Sequence, residues 1–165
     1  MLRKICISAG LLLLLSVSAK AQDRVELFGG YSFEHFGTSP ARNLNGWEVS
    51  GQYKVLGWIG AVADIDGHYA SPSGLDTRQV NFMVGPQISF PSHISPFAHV
   101  LVGIDHTRFG SSSDTSVATA VGGGIDWHLV PFVSLRVFQI DELYTHAFGR
   151  KQNSARLSTG LVIHF

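Results

Sequence analysis

The sequence predicts an all-β chain, an eight-stranded antiparallel up-and-down β-barrel of the transmembrane kind. Three observations lead there. Beyond residue 22 the chain divides into eight stretches of period-two hydrophobicity, each 11–14 residues long, whereas strands of soluble domains usually run about 5–6. The connections between them alternate between short and long, as in barrels with tight turns at one end and loops at the other. Lys and Arg are nearly absent from the apolar faces, where aromatic residues gather towards both strand ends.

Residues 1–21, MLRKICISAGLLLLLSVSAKA, stand apart from the rest. Arg3 and Lys4 precede an apolar run centred on Leu11–Leu15, and Ala19-Lys20-Ala21 supplies a small-x-small cleavage site, the pattern of a secretory signal peptide. The run is too short to cross a bilayer as a helix. Cys6 precedes the run instead of marking the cleavage point, so lipidation there is not expected. The exported domain is expected over 22–165.

The eight segments follow in order. Segment 24–36 sets Tyr31 and Phe33 opposite Glu26 and Glu34. In 45–55, Trp47, Val49 and Tyr53 oppose Glu48, Ser50, Gln52 and Lys54; in 58–69, Ile59, Ala61, Ala63 and Ile65 oppose Asp64, Asp66 and His68. Segment 77–90 has Val80, Phe82, Val84, Ile88 and Phe90 on one face and Gln79, Asn81, Gln87 and Ser89 on the other. His99 and Asp105 belong to the polar face of 96–108, and Asp126 and His128 to that of 115–128, with Trp127 between them. Segment 131–144 is irregular: Val133, Leu135 and Val137 keep phase, then Phe138 and Ile140 reverse it, which a β-bulge would explain. In 154–165, Leu157, Thr159, Leu161, Ile163 and Phe165 alternate with Arg156, Ser158, Gly160 and His164.

Alternation alone does not say which face is inside, because a soluble barrel holding an apolar ligand, of lipocalin type, prints the same pattern. Strand length favours the membrane: twelve residues at a tilt near 40° rise about 30 Å, the depth of a hydrocarbon core. If odd strands run outward, Tyr53, Phe90, Trp127 and Phe165 form one aromatic belt and Tyr31, Phe33, Trp47 and Tyr69 the other. Charged residues are 15% of the chain, against about 25% in soluble domains.

The stretches RVELFGGYSF, NGWEVSGQYKV, QVNFMVGPQISF and RLSTGLVIHF resemble the small eight-stranded outer-membrane β-barrel proteins, the OmpA/OmpX-like group of Gram-negative outer membranes. The resemblance spans residues 22–165. It implies residence in the outer membrane as a monomer among outer-membrane lipids, with a structural or surface-interaction role and no catalysis. In that group a final aromatic preceded by alternating apolar residues is read by the barrel-assembly machinery; here Leu157, Thr159, Leu161, Ile163 and Phe165 match that signal.

An eight-stranded barrel is just wide enough for side chains to fill. The inward charges Glu26, Glu34, Glu48, Lys54, Asp64, Asp66, Asp126, Arg136, Arg156 and His164, joined by His68, His99, Asp105 and His128, are therefore expected to form an internal network in place of a wide channel. A narrow ion or proton path is the sharper alternative. Antiparallel partners share a constant index sum, and 190 joins both Glu26 to His164 and Glu34 to Arg156 across the closing seam.

Three of the twelve basic residues precede residue 22, leaving nine against twelve acids, a net charge of −3 that argues against nucleic acid. No cysteine follows Cys6, so disulfides and a thiol nucleophile are excluded there. His35, His68, His106 and His146 lie near one rim, but their spacing does not suggest a metal site. A lipid-modifying hydrolase would need a His-x-Ser arrangement near the outer leaflet, whereas His93-Ile94-Ser95 falls in a turn at the other end. No catalytic residue, cofactor or metal is expected.

Overall fold

The computed structural model describes residues 24–36, 42–70, 77–110, 112–145 and 152–165. The signal-peptide expectation and its boundary at residue 22 lie outside the described residues. Eight strands form a closed barrel in sequence order, every neighbour antiparallel: β1 Val25–Phe36, β2 Arg42–Leu56, β3 Ile59–Ala70, β4 Thr77–Ser89, β5 Ile94–Phe109, β6 Ser112–Val130, β7 Val133–Thr145 and β8 Gln152–His164. Connections at 57–58, 90–93 and 131–132 mark what we term the turn end, and those at 37–41, 71–76, 110–111 and 146–151 the loop end.

All eight expected strands are present, with one correction at the loop end. The expected connection at 109–114 is shorter, because β5 and β6 stay paired as far as Phe109 opposite Ser112. Gly110 closes it with φ of 58°, a left-handed conformation that costs glycine nothing. Since β7 joins β6 only from Ala118 onward, residues 112–117 stand beyond the β6–β7 ladder, paired with β5.

The phase reversal in β7 is a bulge. Asp126 faces Arg136 whereas Ile125 faces Phe138, so Val137 is the extra residue. The β8 ladder shifts at the same place, between Arg136 opposite Gly160 and Gln139 opposite Ser158. Val137 and Phe138 both face outward, and the inward side passes from Arg136 to Gln139. The closing seam has the expected register, with Glu26 opposite His164 and Glu34 opposite Arg156. It is extended by Phe165, whose N–H donates to the Val25 carbonyl at 2.8 Å.

Burial settles which face is inside. Every large side chain on the outer surface of the strands' middle is apolar, among them Leu27, Val49, Ile65, Phe82, Val102, Ile140 and Leu161. Outward charges sit near the ends: Arg24 at the turn end and Arg78, Arg108 and Glu142 towards the loop end. Acids, amides and hydroxyls are buried inside. The soluble alternative, an apolar interior holding an apolar ligand, is thereby overturned. The inside does have one apolar patch, Val62, Met83, Leu101, Ala118, Ala120 and Leu143, but it is packed side chain against side chain. An outer surface of this kind is stable against hydrocarbon, where each Lys or Arg at mid-depth would cost about 2–4 kcal/mol.

Candidate functional site: the charged barrel interior

Arg156, on β8, is the hub of the interior. Its guanidinium is fully buried. Nε and Nη2 donate to Asp141 Oδ2 at 3.0 and 2.7 Å, while Nη1 donates to Asp64 Oδ1 at 3.0 Å and Asp66 Oδ2 at 2.5 Å. Glu48 Oε2 lies 3.6 Å from Nε. One side chain thus ties β8 to β7, β3 and β2. The planar fork of arginine suits this work, since five fixed N–H donors can serve several carboxylates at once.

The network continues through Gln139. Its amide nitrogen donates to Glu48 Oε1 at 2.9 Å and Asp141 Oδ2 at 2.7 Å, and its carbonyl oxygen accepts from Arg136 Nη1 at 2.7 Å. Arg136 in turn holds Asp126 with two bonds, Nε to Oδ1 at 2.8 Å and Nη2 to Oδ2 at 3.0 Å. Its guanidinium carbon is 4.3 Å from the Phe28 ring centroid and 4.2 Å from that of Phe97. This cation between two rings fills the lumen. The void beside it, bordered by Glu26, Phe28, Arg136 and Val162, measures only about 10 Å³, room for at most one water.

A second cluster lies at the turn end, where Glu26 pairs with Lys54 and with His164 Nδ1 at 3.1 Å. His164 Nε2 is 2.7 Å from Ser134 Oγ, and its ring stacks on His128 at 5.1 Å. Of the two pairs that the closing register brings opposite each other, Glu26 and His164 make contact. Glu34 and Arg156 do not: Arg156 crosses the lumen to aspartates on β3 and β7, and Glu34 accepts from Ser154 and faces His68 Nδ1 at 3.3 Å. Asp105 stands apart from both clusters and accepts from Thr107 Oγ1 at 2.8 Å.

Asp141 and Gln139 are central to this network, yet strict alternation through β7 would place both outside. The signal that finds them is the reversal itself: once Phe138 and Ile140 face out, 139 and 141 must face in. Gly122 makes room for the hub, because a Cβ there would stand 1.9 Å from Asp141 Oδ1 and 2.4 Å from the Ile140 carbonyl.

The aromatic positions lie on the outer surface. Tyr53, Phe90, Trp127 and Phe165 are exposed near the turn end, and Tyr31, Trp47 and Tyr69 near the loop end; Phe33 is half-buried. Trp58 and Phe132, 55% and 62% exposed in the tight turns, extend the turn-end group. Hydrogen bonds link neighbours within the groups: Tyr31 hydroxyl to Asn45 at 2.5 Å, Trp47 indole to the Tyr69 hydroxyl at 3.4 Å, and Trp127 indole to His93 Nε2 at 3.1 Å. Leu157, Leu161 and Ile163 share the outer face of β8 with Thr159, whose hydroxyl donates to the Arg136 carbonyl at 2.9 Å.

The rim histidines do not converge. His35 Nδ1 is 2.6 Å from Asn43 and His106 Nδ1 2.8 Å from Thr115, both outside the barrel, whereas His68 is buried; His146 lies outside the described residues. His93 and Ser95 have turn-building partners: Trp127 donates to His93, and the Ser95 hydroxyl donates to the Phe90 carbonyl at 2.7 Å.

No family model and no curated protein matches the chain. Solved structures do. Neisserial surface protein A (NspA) superposes with a TM-score of 0.69 at 16% identity, over 88% of this chain and 100% of that one. Ail, the attachment invasion locus protein of Yersinia pestis, gives 0.61 at 15% identity, over 87% and 99%. The fold is that of the small eight-stranded outer-membrane barrels. The N-terminal barrel domain of Pseudomonas aeruginosa OprF shares it at a TM-score of 0.52 and 9% identity, over 87% of this chain and 99% of that domain. At such identities the small-barrel likeness is one of backbone architecture, and the interior must be read from its own residues.

Proposed function

We propose that the protein is an integral outer-membrane β-barrel, exported by its signal peptide and monomeric among outer-membrane lipids, with a filled lumen and a structural or surface-interaction role and no catalysis. The observation that carries this reading is the inverted polarity: apolar side chains outside along the middle of the strands, an ion-pair network within. Water cannot stabilise such a surface, and a hydrocarbon core flanked by aromatic belts can.

The loop end supplies the contacts with the outer leaflet and beyond. Arg78 and Arg108 are backbone partners on β4 and β5, both exposed, and the Arg78 guanidinium lies 5.3 Å from the Tyr69 ring centroid. Two adjacent guanidinium groups beside an interfacial aromatic suit the phosphate groups of lipid headgroups. Among the described residues, the stretch of β5 and β6 beyond the β6–β7 ladder offers a surface-interaction role a contact element. NspA is a surface protein and Ail is named for attachment and invasion; a surface role here accords with those neighbours. During biogenesis Phe165 and the alternating residues before it would engage the assembly machinery.

Fractionation of expressing cells tests the reading. The protein is expected in the outer membrane, extracted by detergent alone, and to migrate on gels as two species, folded when unheated and unfolded after boiling. Recovery in the soluble periplasmic fraction would overturn it.

A further inference from the structure

Glu34, Asp66 and His68 are buried together inside the barrel, offering three ligand atoms that all lie within 4.8 Å of one another. We propose that they form a metal site for a first-row divalent ion of the zinc type, held within the lumen.

A hydrogen-bond chain backs His68 at Nε2. Ser158 Oγ is 2.5 Å from Glu48 Oε2 and 3.0 Å from Ser32 Oγ, and Ser32 Oγ is 2.9 Å from His68 Nε2. With the imidazole proton on Nε2, donated to Ser32 Oγ, His68 is in the tautomer that binds a metal through Nδ1. That leaves Nδ1 as a lone pair facing Asp66 Oδ1 at 2.9 Å and Glu34 Oε2 at 3.3 Å. Three ligand atoms then converge, with Asp66 Oδ1 also accepting from Asn81 Nδ2 at 2.9 Å, an arrangement that suits a cation between them.

A proton on Nδ1 would serve only if an oxygen lay along the N–H direction. Neither does: Nδ1 and Glu34 Oε2 are buried without a hydrogen-bond partner despite their closeness. Metal coordination asks for the reverse geometry, with the oxygens to either side of the nitrogen's lone-pair axis. With metal–ligand bonds of about 2.1 Å, separations of 2.9 and 3.3 Å subtend roughly 90° and 100° at the ion, within the range of three ligands around an open position. Each ligand is also held from behind, as metal ligands usually are: Glu34 Oε1 by Ser154, Asp66 Oδ2 by Arg156, and His68 Nε2 by Ser32.

Charge points the same way. The buried carboxylates Glu48, Asp64, Asp66 and Asp141 surround the Arg156 guanidinium, with His99 beside Asp141, whereas Glu34 has His68 and Ser154 as its partners. A divalent ion would offset the excess where Arg156 does not reach, at Glu34. One imidazole nitrogen with two carboxylate oxygens suits zinc and its neighbours, whereas calcium takes six to eight oxygens and magnesium keeps several waters.

The test uses the full chain extracted from membranes in detergent, stripped with a chelator, unfolded in urea and refolded with zinc so that access is not limiting. Zinc per folded barrel is measured by metal analysis and affinity by competition with a chromophoric chelator, the folded fraction being read from the heat-modifiable band. One zinc per barrel is expected in wild type and in His106→Gln, with no uptake of magnesium. Glu34→Gln and His68→Gln should lose the ion, and Ser32→Ala should weaken binding by about 10–100-fold. Asp66→Asn replaces either ligand variant that fails to fold. Folded wild type that takes up no zinc, or folded ligand variants that bind it as wild type does, would overturn the proposal.

Discussion

At the scale of single residues, the interior depends on one arginine. Arg156 serves Asp64, Asp66 and Asp141 directly. Replacing it with Met leaves several buried carboxylates without their shared cation, a change that typically costs about 3–5 kcal/mol. The urea midpoint of the folded band in lipid should fall accordingly, and Asp64→Asn with Asp141→Asn in the same chain should restore part of the loss, a coupling that a double-mutant cycle measures. Gly122 acts in the same place by subtraction. Its alanine variant crowds Asp141 and a backbone carbonyl together and should lower that midpoint more than Gly51→Ala, where a Cβ meets nothing within 4 Å.

At the scale of elements, β7 and β8 each suggest a decisive change. The β7 bulge lets one strand present Arg136 and then Gln139 and Asp141 to the lumen. Deleting Val137 would remove the extra residue and restore strict alternation with Arg136, Gln139 and Asp141 all inward and Phe138 and Ile140 outward, so the network and the apolar exterior are both kept. The folded, heat-modifiable species should persist, whereas inserting one residue after Phe138, which turns Gln139 and Asp141 outward, should abolish it. Removing Phe165 is expected to act on assembly more than on the finished barrel. Only its backbone pairing with Val25 and a ring 37% exposed at the turn end are lost from the structure. Expression in cells should show impaired membrane insertion, while chain refolded from urea should reach a stability close to wild type.

For the whole molecule, the question is whether the barrel conducts. Arg136 lies between Phe28 and Phe97 and is held by Asp126 and Gln139, leaving only about 10 Å³ beside it. Wild type in planar bilayers should show no steady ionic current. Arg136→Ala removes the cation from between the rings and should produce intermittent openings that favour cations, since the carboxylates stay. Current through wild type equal to that of the variant would show that Arg136 does not block the lumen.

The strands, their order and most of their inward faces were legible in the sequence because alternation is local, each residue's side following from its neighbours two positions away; Gln139 and Asp141, past the β7 bulge, were the exception. Even the seam register followed, from matching charges at a constant index sum. The sidedness of the barrel was legible as well, since strand length and the placement of charge respond to the surrounding solvent. What the inward groups do with one another was not. The chain shows Glu34 opposite Arg156, but a long side chain in a narrow barrel reaches strands on the far wall, so Arg156 serves β3 and β7 and leaves Glu34 to His68. The convergence of Glu34, Asp66 and His68 is likewise tertiary: it depends on closure, which brings β1 and β3 to face one point across β2.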